Sequence, residues 1–487
     1  MKSVNITEQR RASPANSSDF SGERATRRRF VCACAACAAC GAMQLVNGIN
    51  LWAAERTRKR LRAIQHLRGH RHASTKRGLV DLKTDIADLR AKAALAVGFA
   101  TILGWASQAQ VALNDTKSPA AAELAKYRTE LQAFRAEFGG ARELPDTPFF
   151  LFGMGQRAKF VYKAGSLVSA TTGKLLQQWP VKNATIVPPV YCVTITTASG
   201  VSVRISEDEQ AVWIEENGGR RALEGTQHPV RLPDFKEYRY PQVLRVLHQE
   251  LLVNVIDGKP VPNFFVYPKS WYRDGAMMAM CYKATGNLDL IRDWVRGLTE
   301  PYDRNNNGET EADNLGQALY LVSLVSDKNH PLVGKVLKEL PRFEVDGPSG
   351  KYLKGRSDFS FHPVYQTKWA KYGLRALSLP DPYVVPPIED SYSALFWMDY
   401  RDTYVKSQDA RDVAYPYLDW ACDHFHGLKR SPISNRDYPL TWEKNASAAN
   451  YPGMTIISDV YRQQRLAAPH TWHAAEIFLY LLEQKSK

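Results

Sequence analysis

The run Ser270-Trp271-Tyr272-Arg273-Asp274-Gly275-Ala276-Met277-Met278-Ala279-Met280 sets a guanidinium beside a carboxylate at the head of an apolar helix. Two readings stand for it. Asp274 is a natural helix cap. The pair Arg273 and Asp274 is equally a fork for sugar hydroxyls, because charged groups make the stronger hydrogen bonds. A second run, Asp303-Arg304-Asn305-Asn306-Asn307-Gly308-Glu309-Thr310-Glu311-Ala312-Asp313-Asn314-Leu315-Gly316-Gln317, gathers acids and amides before another helix. Asp313 and Gln317 stand one turn apart on that helix. Asp303, Asn305, Asn307 and Gly308 fit part of a calcium loop, while Asn314 holds the position where a Glu is needed. The expectation is no cofactor, with Ca²⁺ at Asp303, Asn305 and Asn307 as the alternative to a polar loop capped by Asp313.

Two further runs carry acids to helix entrances. Gly355-Arg356-Ser357-Asp358-Phe359-Ser360-Phe361-His362-Pro363 leads into a helix that begins with Val364, Tyr365, Gln366, Thr367, Lys368 and Trp369. Its other reading is a surface loop over a packed His. Asp390 and Glu443 supply more carboxylates, and Asp390 also reads as a cap. Paired carboxylates suit hydrolysis of a glycosidic bond. An inverting enzyme needs two of them about 6.5–9.5 Å apart, one protonated and one ionised.

The elements that must position these groups change character along the chain. A helix opens at Ser118-Pro119, with apolar residues at Leu124, Tyr127, Leu131, Phe134 and Phe138, and Gly139-Gly140 ends it. Residues 159–162, 191–196, 201–205 and 211–214 alternate as strands, with turns at 198–200 and 217–219. From about Tyr240 helical periods follow one another at 243–255, 274–285, 288–298, 311–325, 331–340, 363–377, 391–404, 415–425 and 470–482. Shorter helices are expected around 440–448 and 453–464. The domains expected are a leader over 1–112, a linker helix over 113–147, a small antiparallel β domain over 148–238 and a helical domain over 239–487. Amphipathic hairpins need neighbours to bury their faces, and a closed ring of them fits the last region.

The net charge of +14 over 487 residues points at first to nucleic acid. Its distribution excludes that. Residues 1–92 hold 19 Lys+Arg against 7 Asp+Glu, leaving 45 against 43 in the remainder. The leader carries two export-like segments. Thr26-Arg27-Arg28-Arg29-Phe30-Val31 with the apolar stretch after it matches a twin-arginine signal. Residues 93–106 form a second apolar run of signal length, followed by Ser107-Gln108-Ala109, a small-x-small cleavage site. Either the twin-arginine precursor is genuine or translation starts near residue 78. Both place the mature protein in the periplasm or outside the cell, with no stable membrane partner beyond the export machinery. Cys32, Cys34, Cys37 and Cys40 read as part of an Ala-rich leader rather than a metal site. Cys192, Cys281 and Cys422 show no pairing pattern.

Trp-x-Arg-Asp entering an Ala- and Met-rich helix resembles the glucoamylase-type six-hairpin glycosidases. Asp437-Tyr438-Pro439-Leu440-Thr441-Trp442-Glu443 and Ala468-Pro469-His470-Thr471-Trp472-His473-Ala474-Ala475-Glu476 resemble a loop and the last barrel helix of that superfamily. The likeness covers 240–487 in motif order. It implies a mainly α fold: an (α/α)6 barrel preceded by the small antiparallel β domain and the leader. It implies that Arg273 and Asp274 hold a terminal sugar, with Trp271 or Tyr272 as a stacking wall. Asp313, Gln317, His362, Tyr365, Gln366, Lys368, Asp390, Trp442, His470 and Trp472 become substrate contacts. The general acid falls to Asp358 or Glu311 and the base to Glu443, although the family's own local acid motif is absent. The expected activity is glycoside hydrolysis on an oligosaccharide or polysaccharide, and no nucleic-acid partner. A lyase using His362 and Tyr365, a phosphorylase, or a non-catalytic sugar-binding protein are the alternatives.

Overall fold

The computed structural model describes residues 119–138, 143–267, 269–388, 433–446 and 448–482. The leader, its four cysteines and both export-like segments lie outside the described residues. So do Asp390, Cys422 and the helices expected at 391–404 and 415–425. The described residues belong to one compact unit. No helix among the described residues is long and apolar enough to cross a membrane.

The first helix, α1 (Pro119–Phe138), buries the stripe Leu124, Tyr127, Leu131 and Phe134. It is seated by polar contacts far along the chain. The Tyr127 hydroxyl donates to the Asp437 carbonyl at 2.8 Å, and Arg128 pairs with the Asp437 carboxylate at 2.8 Å. Glu130 accepts the backbone N–H groups of Gln242 and Val243 at 2.8 and 2.9 Å. Those two groups open the next helix, so a carboxylate from α1 caps the positive end of another helix.

Two antiparallel meanders follow. The first runs β1 (Phe149–Phe152), β2 (Phe160–Lys163), β3 (Ser166–Ser169) and β4 (Leu175–Gln178). The second runs β5 (Val181–Val187), β6 (Cys192–Thr197), β7 (Ser202–Glu207), β8 (Val212–Glu216) and β9 (Gly219–Ala222). Val193, Ile195, Val203, Ile205, Val212 and Ile214 alternate inward. A buried pair, Arg157 to Glu207 at 2.8 Å, ties the sheets. Glu207 also accepts the N–H of Gly153 at 2.9 Å and of Met154 at 2.6 Å.

Among the described residues eight α-helices follow: α2 (Pro241–Leu252), α3 (Tyr272–Thr285), α4 (Arg292–Arg296), α5 (Asp313–Ser323), α6 (Pro331–Glu339), α7 (Pro363–Ala376), α8 (Asp459–Gln463) and α9 (Thr471–Leu482). They pack as a row: α9 lies between α2 and α3, α3 lies against α5, and α5 against α7. Among the described residues three hairpins and one long-range strand pair interrupt them: β10 (Val255–Ile256) with β11 (Lys259–Pro260), β12 (Glu344–Gly347) with β13 (Gly350–Leu353) and β14 (Arg356–Ser357) with β15 (Ser360–Phe361) are the hairpins, and β16 (Glu443–Lys444) pairs with β17 (Leu466–Ala467) across α8.

This architecture corrects the expected mainly α, (α/α)6-barrel fold. Seventeen strands in six antiparallel sheets stand among the described residues, four of those sheets inside the region read as a pure helical ring. Three local errors contributed. The helix expected at 440–448 contains strand β16, whose residues pair with Leu466 and Ala467. The period at 288–298 is a 3-10 turn, Leu288–Ile291, followed by only five α-helical residues. The polar run at 344–361 conceals two hairpins.

The closest helix crossing is between α5 and α7. A Cβ on Gly316 would lie 2.2 Å from the Trp369 carbonyl carbon, and one on Gly373 would lie 2.5 Å from the Gly316 oxygen. Gly316→Ala is therefore expected to cost about 3 kcal/mol of stability through overpacking. Urea unfolding of the full chain checks it; an unchanged midpoint would show that the helices part without cost.

Candidate functional site

Helices α3, α5 and α9 bring their first turns to one place, and the hairpin β14–β15 joins them just ahead of α7. A helix N-terminus favours nearby negative charge. Carboxylates gather there accordingly.

Arg273, in the first turn of α3, is the centre of the first cluster. Its Nη1 contacts Asp358 at 2.7 Å, its Nε contacts Asp313 at 3.1 Å, and its Nη2 contacts Glu311 at 3.3 Å. All four side chains are buried or nearly so. The Asp358 backbone N–H donates to Glu311 at 2.6 Å. Asn306 donates to Asp358 at 3.3 Å. Asp313 accepts from the Ser357 hydroxyl and, at 2.9 Å, from Gln317. The guanidinium lies 5.5 Å over the Trp472 ring. Burial pushes the Glu311 carboxyl up to about 7, against the pull of Arg273 and with the push of Asp313 and Asp358.

The second cluster starts one residue on. Asp274 accepts from the Thr471 hydroxyl at 2.8 Å, joining α3 to the first residue of α9. Burial holds its carboxyl above the usual range, with His470 and Thr471 pulling the other way. The preceding His470 contacts Glu443 at 2.7 Å through Nε2, and the Tyr267 hydroxyl donates to the same carboxylate. Burial alone would raise Glu443. The His470 charge, with hydrogen bonds from His470 and Tyr267, outweighs it and holds the carboxyl below its ordinary value. His470 responds in kind. Burial disfavours its cation, but Glu443, and then Asp274 and Asp358, raise it above the usual imidazole range. The two clusters are thus electrostatically continuous through Asp274, Asp358 and His470.

Beneath them, buried Glu250 of α2 accepts from the Thr441 hydroxyl at 2.5 Å. Thr441 in turn accepts from the His470 N–H at 3.1 Å. Burial pushes Glu250 up to about 8. His473 donates from Nδ1 to the Trp442 carbonyl, and burial lowers its ring to about 3.

The remaining described residues of the predicted set are buried to different degrees. Trp271 stays partly buried, its ring edge-on to Tyr267 at 5.7 Å. Tyr272 is buried; its N–H donates to Asp303 at 2.6 Å and its hydroxyl to the Glu300 carbonyl at 2.7 Å, so it is not a stacking wall. Asp313 and Gln317 are fully buried and bond each other, and Gln317 also reaches Tyr365 at 3.4 Å. Gln366 clamps Gly355 through both its amide atoms and touches Ser357 at 3.0 Å, fixing the hairpin base. Tyr365 and Lys368 are buried in α7, and Tyr365 packs against Trp472 with ring centres 6.2 Å apart. His362 is half-buried at the N-terminus of α7. Asp274 is not the cap of α3, since Trp271 holds that position, and Ala312 rather than Asp313 holds it for α5. The calcium-like loop satisfies itself: Asp303 accepts from Tyr272 and, at 3.0 Å, from Asn305, and Asn305 donates to the Ser270 carbonyl at 2.6 Å. Among the described residues, no group of three His, Cys, Asp or Glu is placed to hold a metal ion.

Sequence reasoning missed Tyr267, Thr471, Ser357, Asn306 and Glu250. Of these, Thr471 and Ser357 each adjoin a chosen residue, the one signal that was available.

In comparisons with known proteins, no family model, no curated protein and no solved structure matches this chain.

Removing Arg273 leaves three carboxyls without their shared counter-charge. Arg273→Met is expected to cost about 3–5 kcal/mol near neutral pH. Glu311 has a raised folded value, so its contribution is fully present below its unfolded value and is lost as pH rises through about 7. The variant's deficit should therefore shrink toward pH 5, as Glu311 protonates. Unfolding midpoints of both proteins at pH 5 and pH 8 check this; an equal deficit at both would place the loss in packing alone.

Proposed function

We propose that this protein is an exported glycoside hydrolase acting on an oligosaccharide or polysaccharide by two carboxyls, Glu311 as general acid and Glu443 as general base. The observation that carries this reading is the pair of opposed environments. Glu311 is pushed to about 7, and Glu443 is held ionised by His470 and Tyr267. Carboxyls driven apart in this way take acid and base roles at neutral pH.

In the reaction, Glu311 gives its proton to the glycosidic oxygen as the C–O bond breaks. Glu443 takes a proton from the water that attacks the anomeric carbon. Asp358, at the tip of its hairpin, and Trp271, at the lip, contact the sugar. Arg273 serves to assemble the carboxylates, because three of its own contacts are already to Glu311, Asp313 and Asp358. The motif-level resemblance of Trp271, Arg273 and Asp274 to glucoamylase-type glycosidases supports the sugar reading. The twin-arginine-like segment supports export.

The test is release of reducing sugar from a panel of oligosaccharides. Glu311→Gln and Glu443→Gln should each lower kcat by about 10²-fold or more, with folding intact. The pH profile of kcat/KM should fall above about 7, where Glu311 loses its proton, and below the depressed value of Glu443. Full activity in both variants, or no release from any sugar by the wild type, would sink the reading.

A further inference from the structure

Glu250 is wholly buried in the last turn of α2, where the helix end itself disfavours negative charge. Two phenols face it, Tyr127 of α1 and Tyr438 of the 438–441 loop, and burial keeps both neutral. No charged side chain among the described residues acts on its titration. What acts on it is burial, opposed by hydrogen bonds from Thr441 and Leu440. An ionised Glu250 would therefore be a buried carboxylate with no cation to offset it.

The Thr441 hydroxyl makes this carboxyl part of a relay. Its oxygen lies 2.5 Å from a Glu250 oxygen, 3.1 Å from the His470 nitrogen and 3.2 Å from the His470 carbonyl. The His470 N–H donates to it in either state, which leaves one hydroxyl proton for two acceptors. When Glu250 is ionised, Thr441 donates to it, and the His470 carbonyl loses that bond. When Glu250 is protonated, it donates to Thr441, and Thr441 donates onward to the His470 carbonyl. The other Glu250 oxygen accepts from the Leu440 N–H in both states. The heavy atoms stay where they are, and the direction of the hydrogen bonds reverses. The neutral form satisfies every group, and burial accordingly pushes Glu250 up to about 8.

His470 is the residue at the far end, and it meets Glu443 at 2.7 Å through Nε2. Among the described residues its Nδ1 has no hydrogen-bond partner. The direction of the ring is therefore set by Glu443 and by the backbone that Thr441 holds. We propose that Glu250 is a positioning residue for the His470–Glu443 pair, acting through the Thr441 hydroxyl, whose hydrogen bonds reverse when Glu250 loses its proton. The catalytic meaning of that pair rests on the reading of Glu443 as the base. The relay itself does not, and its test needs no turnover.

The test is nuclear magnetic resonance of the full chain carrying isotope-labelled histidine, with the His470 signals identified by their loss in His470→Asn. In the wild type the His470 backbone amide and carbonyl signals should move with a midpoint at about pH 8. Glu250→Gln holds the neutral pattern, its amide donating to Thr441. It should abolish that step and leave the titration of the ring in place. Thr441→Ser should keep the step, and Thr441→Val should abolish it. Unfolding in urea gives a second readout. Glu250 has a raised folded value, so its stabilisation is full below its unfolded value and is lost as pH rises through about 8. Relative to Glu250→Gln, the wild-type unfolding constant should rise by up to about tenfold per pH unit between about pH 5 and pH 8. A step that persists in Glu250→Gln or in folded Thr441→Val would overturn the relay. Parallel unfolding curves for wild type and Glu250→Gln would overturn it too, since the carboxyl would then be ionised throughout. Neither readout depends on sugar release, so the relay and the hydrolase reading can fail separately.

Discussion

One guanidinium organises this molecule's polar interior. Arg273 meets Asp358, Asp313 and Glu311 within 3.3 Å, and those residues arrive from a hairpin, the first turn of α5 and the loop before it. Three buried carboxylates at one point would repel one another and suffer desolvation. With the arginine between them, and helix N-termini directed at them, the arrangement is tolerable. Its neighbour Asp274 ties the same turn of α3 to α9 through Thr471. A dipeptide therefore fixes the relative positions of four elements, and every other polar contact of the site is built outward from it.

The second constraint is the partition of charge. Glu443 is surrounded by donors, Tyr267 and His470, while Glu311 shares its cation with two competitors. The same side-chain type thereby reaches different protonation states in adjoining clusters. Glu250 extends this arrangement inward: it holds Thr441, and Thr441 holds the backbone of His470. The Glu443 cluster is thus anchored to α2, and the Glu311 cluster to α5.

Much of the local structure was legible in the residues. The apolar period of α1, the alternation in β6 to β8 and the starts of α3, α5, α7 and α9 all follow from patterns of 3.6 or 2. The chemistry-bearing runs around Arg273, Glu311, Asp358 and His470 were visible as clusters of charge at helix entrances. Their partners were not, because contacts such as Arg273 to Asp358 join residues far apart in sequence, and no periodicity encodes them. The ring architecture failed for a related reason. Two-residue strands such as Glu443–Lys444 have too few residues to show alternation, so a helical reading absorbed them. The family resemblance implied that Gln317 and Tyr272 contact sugar. Both are buried and bonded within the protein, since a side chain at a helix entrance can turn toward solvent or toward its neighbours, and sequence does not distinguish the two.

The contact of α1 with residues 434–437 carries a consequence for how the chain acquires its fold. The Tyr127 hydroxyl meets the Asp437 carbonyl across a sequence separation of 310 residues. Arg135 reaches the carbonyls of Ser434 and Arg436 from the same helix. The helix also packs on β5 and α2, so its seat is begun by the middle of the chain and completed only when residues 434–437 arrive. Closure of so long a loop places this step late in folding, where non-local pairings are slow. Until then the stripe of Leu124, Tyr127, Leu131 and Phe134 has only the cover that β5, α2 and Tyr240 supply, and a nascent chain holds this helix in an unfinished seat.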